Sequence, residues 1–154
     1  MSLHVKKFYD NIFFYENALG QIHREDGPAV IWGQPEDQYY LGNEYYINGL
    51  RHREDGPAVD LVDYKCYYIN GKKHREDGPA EITKTDSFWY KNDLRHREDG
   101  PACVGINGYE SWFKNGLRHR EDGPALIDGD REEYWIDDVK ITKEEFEKRN
   151  GKNE

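Results

Sequence analysis

Short segments that begin with two adjacent aromatic residues recur along the chain, and each is followed by a turn signal. Residues 45–49 read Tyr-Tyr-Ile-Asn-Gly, and residues 67–71 repeat the same five letters. Aromatic and β-branched residues favour strands, and Asn-Gly readily supplies the two positive φ angles of a type I′ turn. Each segment therefore predicts a β-hairpin with a two-residue turn. Related segments with altered residues lie at 89–93, 112–116 and 134–138.

The seven-residue motif His-Arg-Glu-Asp-Gly-Pro-Ala separates these hairpins and occurs five times without a change. The copies lie at 23–29, 52–58, 74–80, 96–102 and 119–125, with offsets of 29, 22, 22 and 23 residues. A period of this size indicates a repeat array rather than a domain with one site. Asp and Pro favour a turn, and Gly permits left-handed backbone, so the motif predicts a second turn. Its Ala suggests a close approach of neighbouring backbones.

A two-residue turn sets the register of each hairpin, so Tyr46 pairs with Arg51. Tyr45, Ile47 and Leu50 then share one face, which we expect to be the better packed one. The opposite face carries an aromatic residue and a cation in every repeat, and we expect it to be the more exposed to water. These ten residues, called the ladder below, are the predicted binding face: Tyr46, Arg51, Tyr68, Lys73, Tyr90, Arg95, Phe113, Arg118, Trp135 and Lys140.

The C-terminal end differs from the repeats. Thr142 and Glu145 have the spacing of a capping box, which predicts a short helix at about 143–149 that caps the array. The predicted fold class is all-β, an elongated single-layer antiparallel sheet of stacked β-hairpin repeats with a short C-terminal capping helix. We predict one repeat domain, 1–154, with an insertion at 33–38. Its repeats lie at about 13–32, 44–62, 66–84, 88–104 and 111–128, with a degenerate repeat at 133–141.

Charge and composition narrow the classes of partner. The 22 basic and 31 acidic residues give a net charge of -9, which argues against binding to nucleic-acid phosphates or to anionic membranes. The 12 Tyr, 4 Trp and 6 Phe argue against disorder. No signal peptide and no run of about 20 apolar residues is evident, so we predict a cytoplasmic protein. Cys66 and Cys103 lie in different repeats and are predicted to be free thiols; we expect no metal and no cofactor.

Three features of the repeats have a chemical and a structural interpretation. His52 and Asp55, with their copies, have the residue types of a catalytic dyad, but five copies favour a structural role. The Arg-Glu-Asp stretch is either a recognition stripe or a series of ion pairs in which Arg of one unit meets Glu or Asp of the next. The ladder has the residue types of a base-stacking surface or a protein hot spot, and the negative charge favours the protein partner.

The pattern aromatic-x-Asn-Gly-x-x-His…Gly resembles the MORN repeat in a variant form, over residues 13 to 141. The resemblance implies a twisted one-layer sheet of stacked hairpins. Related variants are similar to the YwqK family of antitoxin or immunity partners, and to repeats of viruses and phages. The chain departs from the ordinary MORN pattern because Arg-Glu-Asp separates His from Gly, as at 53–55.

Together these observations predict a non-enzymatic module that binds a protein partner through an extended sheet face. The resemblance specifies the partner further as a toxin, an effector or a host-defence component. The alternatives are a structural protein that self-assembles through its sheet edges, and an acidic inhibitor that mimics nucleic acid.

Overall fold

The structure, a computed structural model, describes residues 5–9, 12–33 and 41–151, with side chains from residue 12 onward. Within these described ranges, thirteen strands form one antiparallel sheet, and four two-stranded hairpins extend from it. The predicted all-β sheet of stacked hairpins is confirmed. The predicted insertion at 33–38 lies, apart from Gly33, outside the described residues.

The thirteen-stranded sheet follows the order of the chain from one end to the other. Its strands are β1 (Val5–Tyr9), β2 (Ile12–Glu16), β3 (Val30–Trp32), β4 (Gly42–Glu44), β7 (Val59–Leu61), β8 (Tyr64–Cys66), β11 (Glu81–Thr83), β12 (Asp86–Phe88), β15 (Cys103–Gly105), β16 (Glu110–Ser111), β19 (Leu126–Asp128), β20 (Arg131–Ile136) and β21 (Val139–Ile141).

The four hairpins project between pairs of these strands and have the predicted register. Tyr46 pairs with Arg51, and Ile47 pairs with Leu50. Asn48 and Gly49 have φ values of 49° and 79°, as a type I′ turn requires. The hairpins are β5 (Tyr46–Ile47) with β6 (Leu50–Arg51), β9 (Tyr68–Ile69) with β10 (Lys72–Lys73), β13 (Tyr90–Lys91) with β14 (Leu94–Arg95), and β17 (Phe113–Lys114) with β18 (Leu117–Arg118).

The core is one row of side chains that crosses the sheet. Strand pairing places its members directly opposite one another, and therefore on one face. Most of them are buried. The row is Val30, Glu44, Val59, Cys66, Glu81, Phe88, Cys103, Ser111, Leu126 and Glu133.

The alanine that ends each motif lies where two backbones meet, as predicted. All five motif alanines are fully buried. Ala80 N–H donates to the carbonyl of Phe88 at 2.9 Å, and its own carbonyl accepts from Tyr67 N–H at 2.7 Å. A larger side chain would therefore meet its neighbours at once.

The C-terminal helix α1 (Lys143–Arg149) begins at the predicted capping box. Thr142 Oγ1 accepts from Glu145 N–H, and the Glu145 carboxylate accepts from Thr142 N–H. Buried Phe146 packs on Tyr134 with ring centroids 4.8 Å apart, which fixes the helix on the last hairpin. Within the described ranges, no helix is both long enough and apolar enough for a membrane span.

Candidate functional site

Each repeat is joined to the next by a histidine. Asn70 N–H, in the turn of one hairpin, donates to Nδ1 of His52 in the preceding motif at 3.0 Å. An imidazole nitrogen that accepts carries no proton, so the neutral ring holds its proton on Nε2. Backbone bonds on either side complete the junction, from Arg53 N–H to the Tyr68 carbonyl and from Gly71 N–H to the Arg51 carbonyl.

In all five motifs a turn N–H lies 3.0–3.3 Å from the histidine Nδ1. At His74 and His119 a side-chain oxygen of the same turn residue also contacts Nδ1, at 3.1 and 2.8 Å. The donors, in chain order, are the N–H groups of Asn48, Asn70, Asn92, Asn115 and Asp137. The unchanged histidine thus completes the turn of the following repeat.

The arginine of each motif folds back into its own loop. Arg53 stacks over the ring of Tyr45, with Cζ 4.0 Å from the centroid. Its Nε donates to Asp55 at 2.7 Å, and a terminal nitrogen donates to the Pro57 carbonyl at 3.3 Å. The hydrogen bond and the charge of the arginine lower the pKa of Asp55, as their counterparts do for Asp77, Asp99 and Asp122.

Among the described residues, the predicted ion pairs between successive units are not formed. The arginine pairs with the aspartate of its own unit, at 2.7–2.9 Å in all five copies, and not with an acid of the next unit. The motif glycines are not left-handed. They lie close under the arginine, because a Cβ on Gly56 would lie 3.0 Å from Arg53 Cζ and the guanidinium would have to shift.

The glutamate of each motif points outward. Nε2 of the histidine two residues earlier lies 2.9–3.8 Å from one carboxylate oxygen. The five glutamate side chains are nevertheless 70–86% exposed. We call the face formed by the five motifs the loop face.

The predicted ladder residues do lie together, on the face of the core row. Four of the five ladder cations meet the residue seven positions before them, and the residue type at that position differs between repeats. Lys73 is the exception, because it donates to Glu81 at 2.6 Å. Arg51 donates to Glu44 at 2.9 and 3.1 Å, Arg118 donates to Ser111 at 3.2 Å, and Lys140 donates to Glu133 at 2.8 Å. Arg95 instead lies over the ring of Phe88, 5.4 Å from its centroid.

The prediction that the ladder is the wet face is therefore wrong. Phe113 is buried, and the other ladder aromatics are half-buried. On the opposite hairpin face, Leu50, Leu94 and Leu117 are 41–52% exposed. The reason is that the ladder continues the buried row of the large sheet, whereas the leucines lie at the hairpin ends.

Two carboxylates beneath the ladder, Glu81 and Glu133, have lowered pKa values because of the cations that they contact. Burial alone would raise the pKa of Glu81, but the hydrogen bond and charge of Lys73, at 2.6 Å, lower it. Hydrogen bonds from Lys140, Arg131 and Trp135 bring the pKa of Glu133 down to about 2, against the opposing effect of its burial. These carboxylates hold the ladder cations in place.

The acidic partners of the ladder were not among the predicted site residues. Glu44 and Glu133 directly precede the aromatic pair of their repeats, at the position of Cys66, Phe88 and Ser111. An acid aligned with Cys and Phe at a core position is the signal that identifies them, because buried carboxylates require partners.

The histidine and aspartate of a motif have separate partners. Asp55 accepts from Arg53, and His52 accepts from Asn70, so the dyad residues hold the loop and the junction. In the part of the chain that the structure describes, no three His, Cys, Asp or Glu residues are arranged to bind a metal. Cys66 and Cys103 are buried free thiols, and burial raises the pKa of each.

Comparison with known proteins found no matching family model, no matching curated protein and no matching solved structure.

Proposed function

We propose that the protein is a non-enzymatic repeat module that binds a protein partner through an extended face. The observation that supports this most is the regular presentation of five identical loops, each tied to the next hairpin by the same histidine bond. An enzyme assembles one site from different residues, whereas a repeated unit offers the same contact several times. Extended surfaces of this kind are how repeat proteins bind.

Of the two faces, the loop face is the better candidate for the contact. Its glutamates are exposed, while ladder cations such as Arg51 and Lys73 are bonded to carboxylates of the sheet. A partner on the ladder would compete with those internal pairs. The exposed end of the ladder, at Lys140, is the part of the predicted face that a partner reaches most readily.

The identity of the partner rests on the family resemblance alone. The similarity to MORN and YwqK repeats supports a toxin, an effector or a host-defence component. A cytoplasmic location is part of the same proposal, and the free thiols of Cys66 and Cys103 support it because reducing compartments keep thiols free.

The test is affinity capture from the source cell, followed by reconstitution from two purified proteins. The bait is the wild type beside two variants of the full chain. The loop variant carries Glu54→Gln, Glu76→Gln and Glu98→Gln; the ladder variant carries Tyr68→Phe, Tyr90→Phe and Lys140→Gln. We expect a complex of fixed stoichiometry in size-exclusion chromatography with light scattering, weakened most in the loop variant.

Failure to reconstitute a complex with any captured protein would contradict the proposal. Turnover of a substrate that one point variant abolishes would contradict it as well. A complex weakened only by the ladder variant would leave binding in place but move the contact to the predicted ladder.

Self-assembly has one specific observation in its favour. Leu50, Leu94, Leu117 and Val139 occupy equivalent positions at the hairpin ends and are 41–61% exposed. A second copy of the chain would cover such a row. A molecular mass that rises with concentration in light scattering, and that returns to the monomer value in Leu94→Glu, would establish it.

A further inference from the structure

Four clefts of equivalent composition lie between the five consecutive motifs. Each has a volume of about 360 to 740 Å³ and is bounded by the Glu and Asp of two adjacent loops. In addition, a histidine and one aromatic ring at an equivalent position line every cleft. These rings are Tyr45, Tyr67, Trp89 and Trp112. Tyr90 also lines the third cleft, and Phe113 the fourth. The clefts are thus concave sites with one apolar wall.

The charge of the clefts favours a cation. Each of the first three clefts is lined by four carboxylates and two guanidinium groups, and the fourth has Glu110 as a fifth carboxylate. The guanidinium groups are already bonded to the aspartates of their own loops. One face of each ring is already covered by a motif arginine. The exposed glutamates at the two edges therefore supply the attraction for the charged end of a lysine or arginine side chain.

The spacing of the clefts favours an extended segment. Each repeat contributes two strands to the sheet, and neighbouring strands lie about 4.8 Å apart, so successive clefts are about 10 Å apart. A polyproline II chain advances about 3.1 Å per residue and has three residues per turn, so one turn spans about 9 Å. Every third side chain of such a segment therefore reaches the next cleft from the same side.

We propose that the row of clefts binds an extended, basic segment of the partner, with one lysine or arginine side chain in each cleft at every third residue. This inference rests on the proposed function, because it specifies the chemistry of the partner. The segment lies across the motifs, and the two glutamates flanking each cleft hold its cation.

The clefts differ in strength along the array. Ile47 and Ile69 line the first two clefts, whereas Lys91 and Lys114 occupy the same position in the third and fourth. Lys91 Nζ lies 3.7 Å from a carboxylate oxygen of Glu76, so it competes with an incoming cation for that acid. The first two clefts are therefore the stronger cation sites.

The probes are two fluorescent peptides with the same composition. One contains Arg-Pro-Pro four times, and the other has its four arginines in succession. Fluorescence anisotropy with the full chain at physiological salt measures their affinities. We expect the periodic peptide to bind about tenfold more tightly, because its charges match the clefts. Binding of neither peptide, or equal binding of both, overturns the proposal.

Three double variants locate the site. Glu54→Gln with Glu76→Gln should weaken the periodic peptide about tenfold, while Asp63→Asn with Asp130→Asn, at exposed turns outside the clefts, should change it less than about twofold. Lys91→Ile with Lys114→Ile should tighten binding severalfold. Equal losses in the two acidic variants, or no gain in the lysine variant, overturn the assignment. Circular dichroism of each variant verifies the fold.

The experiments distinguish failure of the cleft assignment from failure of the proposed binding function. If the captured partner binds the loop variant as well as it binds the wild type, the cleft assignment is wrong and the binding function stands. If no partner forms a complex while the peptides still discriminate, the clefts recognise basic segments but the proposed function is wrong.

Discussion

The ladder and the loop face both carry one aromatic residue and one cation in every repeat, yet they use them differently. On the ladder, the cation bonds to a sheet residue that changes along the array, from Glu44 to Ser111 to Glu133. On the loop face, the arginine bonds to an aspartate two residues away inside an unchanging motif. The contacts of the ladder cation therefore differ from repeat to repeat, whereas the loop makes the same internal contacts in every repeat.

This difference explains which part of the repeat is constant. Within the motif, His, Arg, Asp, Gly and Ala each have a structural partner that is the same in every copy. The ladder has no such fixed partner, so its residue types vary between Tyr, Phe and Trp and between Arg and Lys. The motif glutamate is the exception. It is constant and contacts the histidine two residues earlier, yet its side chain stays mostly exposed and can contact a partner.

The largest effect should come from enlarging a buried motif alanine. In Ala102→Leu the new side chain meets Cys103 and Phe113 in the packed core, and we expect a loss of about 3 kcal/mol of unfolding free energy. Urea denaturation followed by tryptophan fluorescence measures it. The matched control is Ala18→Leu, the same change at an exposed site; similar losses in the two variants would contradict the packing described for the motif.

The ladder should show the next largest effect. Glu133→Gln removes the charge that Lys140 and Arg131 share, and we expect it to destabilise the fold by about 2 kcal/mol at neutral pH. The neighbouring, exposed Glu132→Gln is the control.

The same variant has a defined pH dependence. Because the pKa of Glu133 is lowered from 4.5 to about 2, its stabilisation is fully present above about pH 4.5 and is lost as the pH falls towards 2. The difference between wild type and Glu133→Gln should therefore shrink across that window. A constant difference between pH 7 and pH 2 would show that the carboxylate charge does not stabilise the fold.

Loss of one junction histidine should have a smaller and local effect. His96→Ala removes the acceptor for Asn115 N–H, and we expect a loss of about 1 kcal/mol. Amide hydrogen exchange provides the local measurement, with faster exchange at Asn115 and unchanged exchange at Asn48. Unchanged exchange at Asn115 would mean that histidine does not hold the junction.

The smallest effect on stability belongs to the loop-face glutamates. Glu98→Gln should change the unfolding free energy by less than about 0.5 kcal/mol, because the side chain is exposed. Chemical denaturation beside Glu133→Gln tests the comparison directly. If Glu98→Gln were as destabilising as Glu133→Gln, the two faces would not differ in the way described.

Local features of the fold could be predicted from the sequence, because local chemistry determines them. Asn-Gly specifies the turn at 48–49, the turn specifies the pairing of Tyr46 with Arg51, and Thr142 with Glu145 specifies the start of the helix. Which face is packed could not be predicted in the same way. Alternation shows which residues share a face, but both faces carry aromatics, and only the course of the chain decides which one continues the buried row.

The candidate site was predictable in part for the same reason. The repeated motif identifies a surface, but the partner of Arg53 depends on how the loop folds back onto Tyr45. From the sequence alone, the motif arginine has acids of its own unit and acids of the next unit as possible partners. Because Arg53 stacks on Tyr45, its guanidinium lies beside Asp55. The motif glutamate, Glu54, remains exposed.

The histidine junction makes the array a molecular ruler. Since every motif bonds to the hairpin that follows it, duplicating residues 74–95 would add one repeat and reproduce each existing junction, with the helix still closing the last unit. The length of the protein would then grow in steps of about 10 Å, the width of two strands. The number of repeats therefore sets the reach of the molecule, while the chemistry offered at each step stays the same.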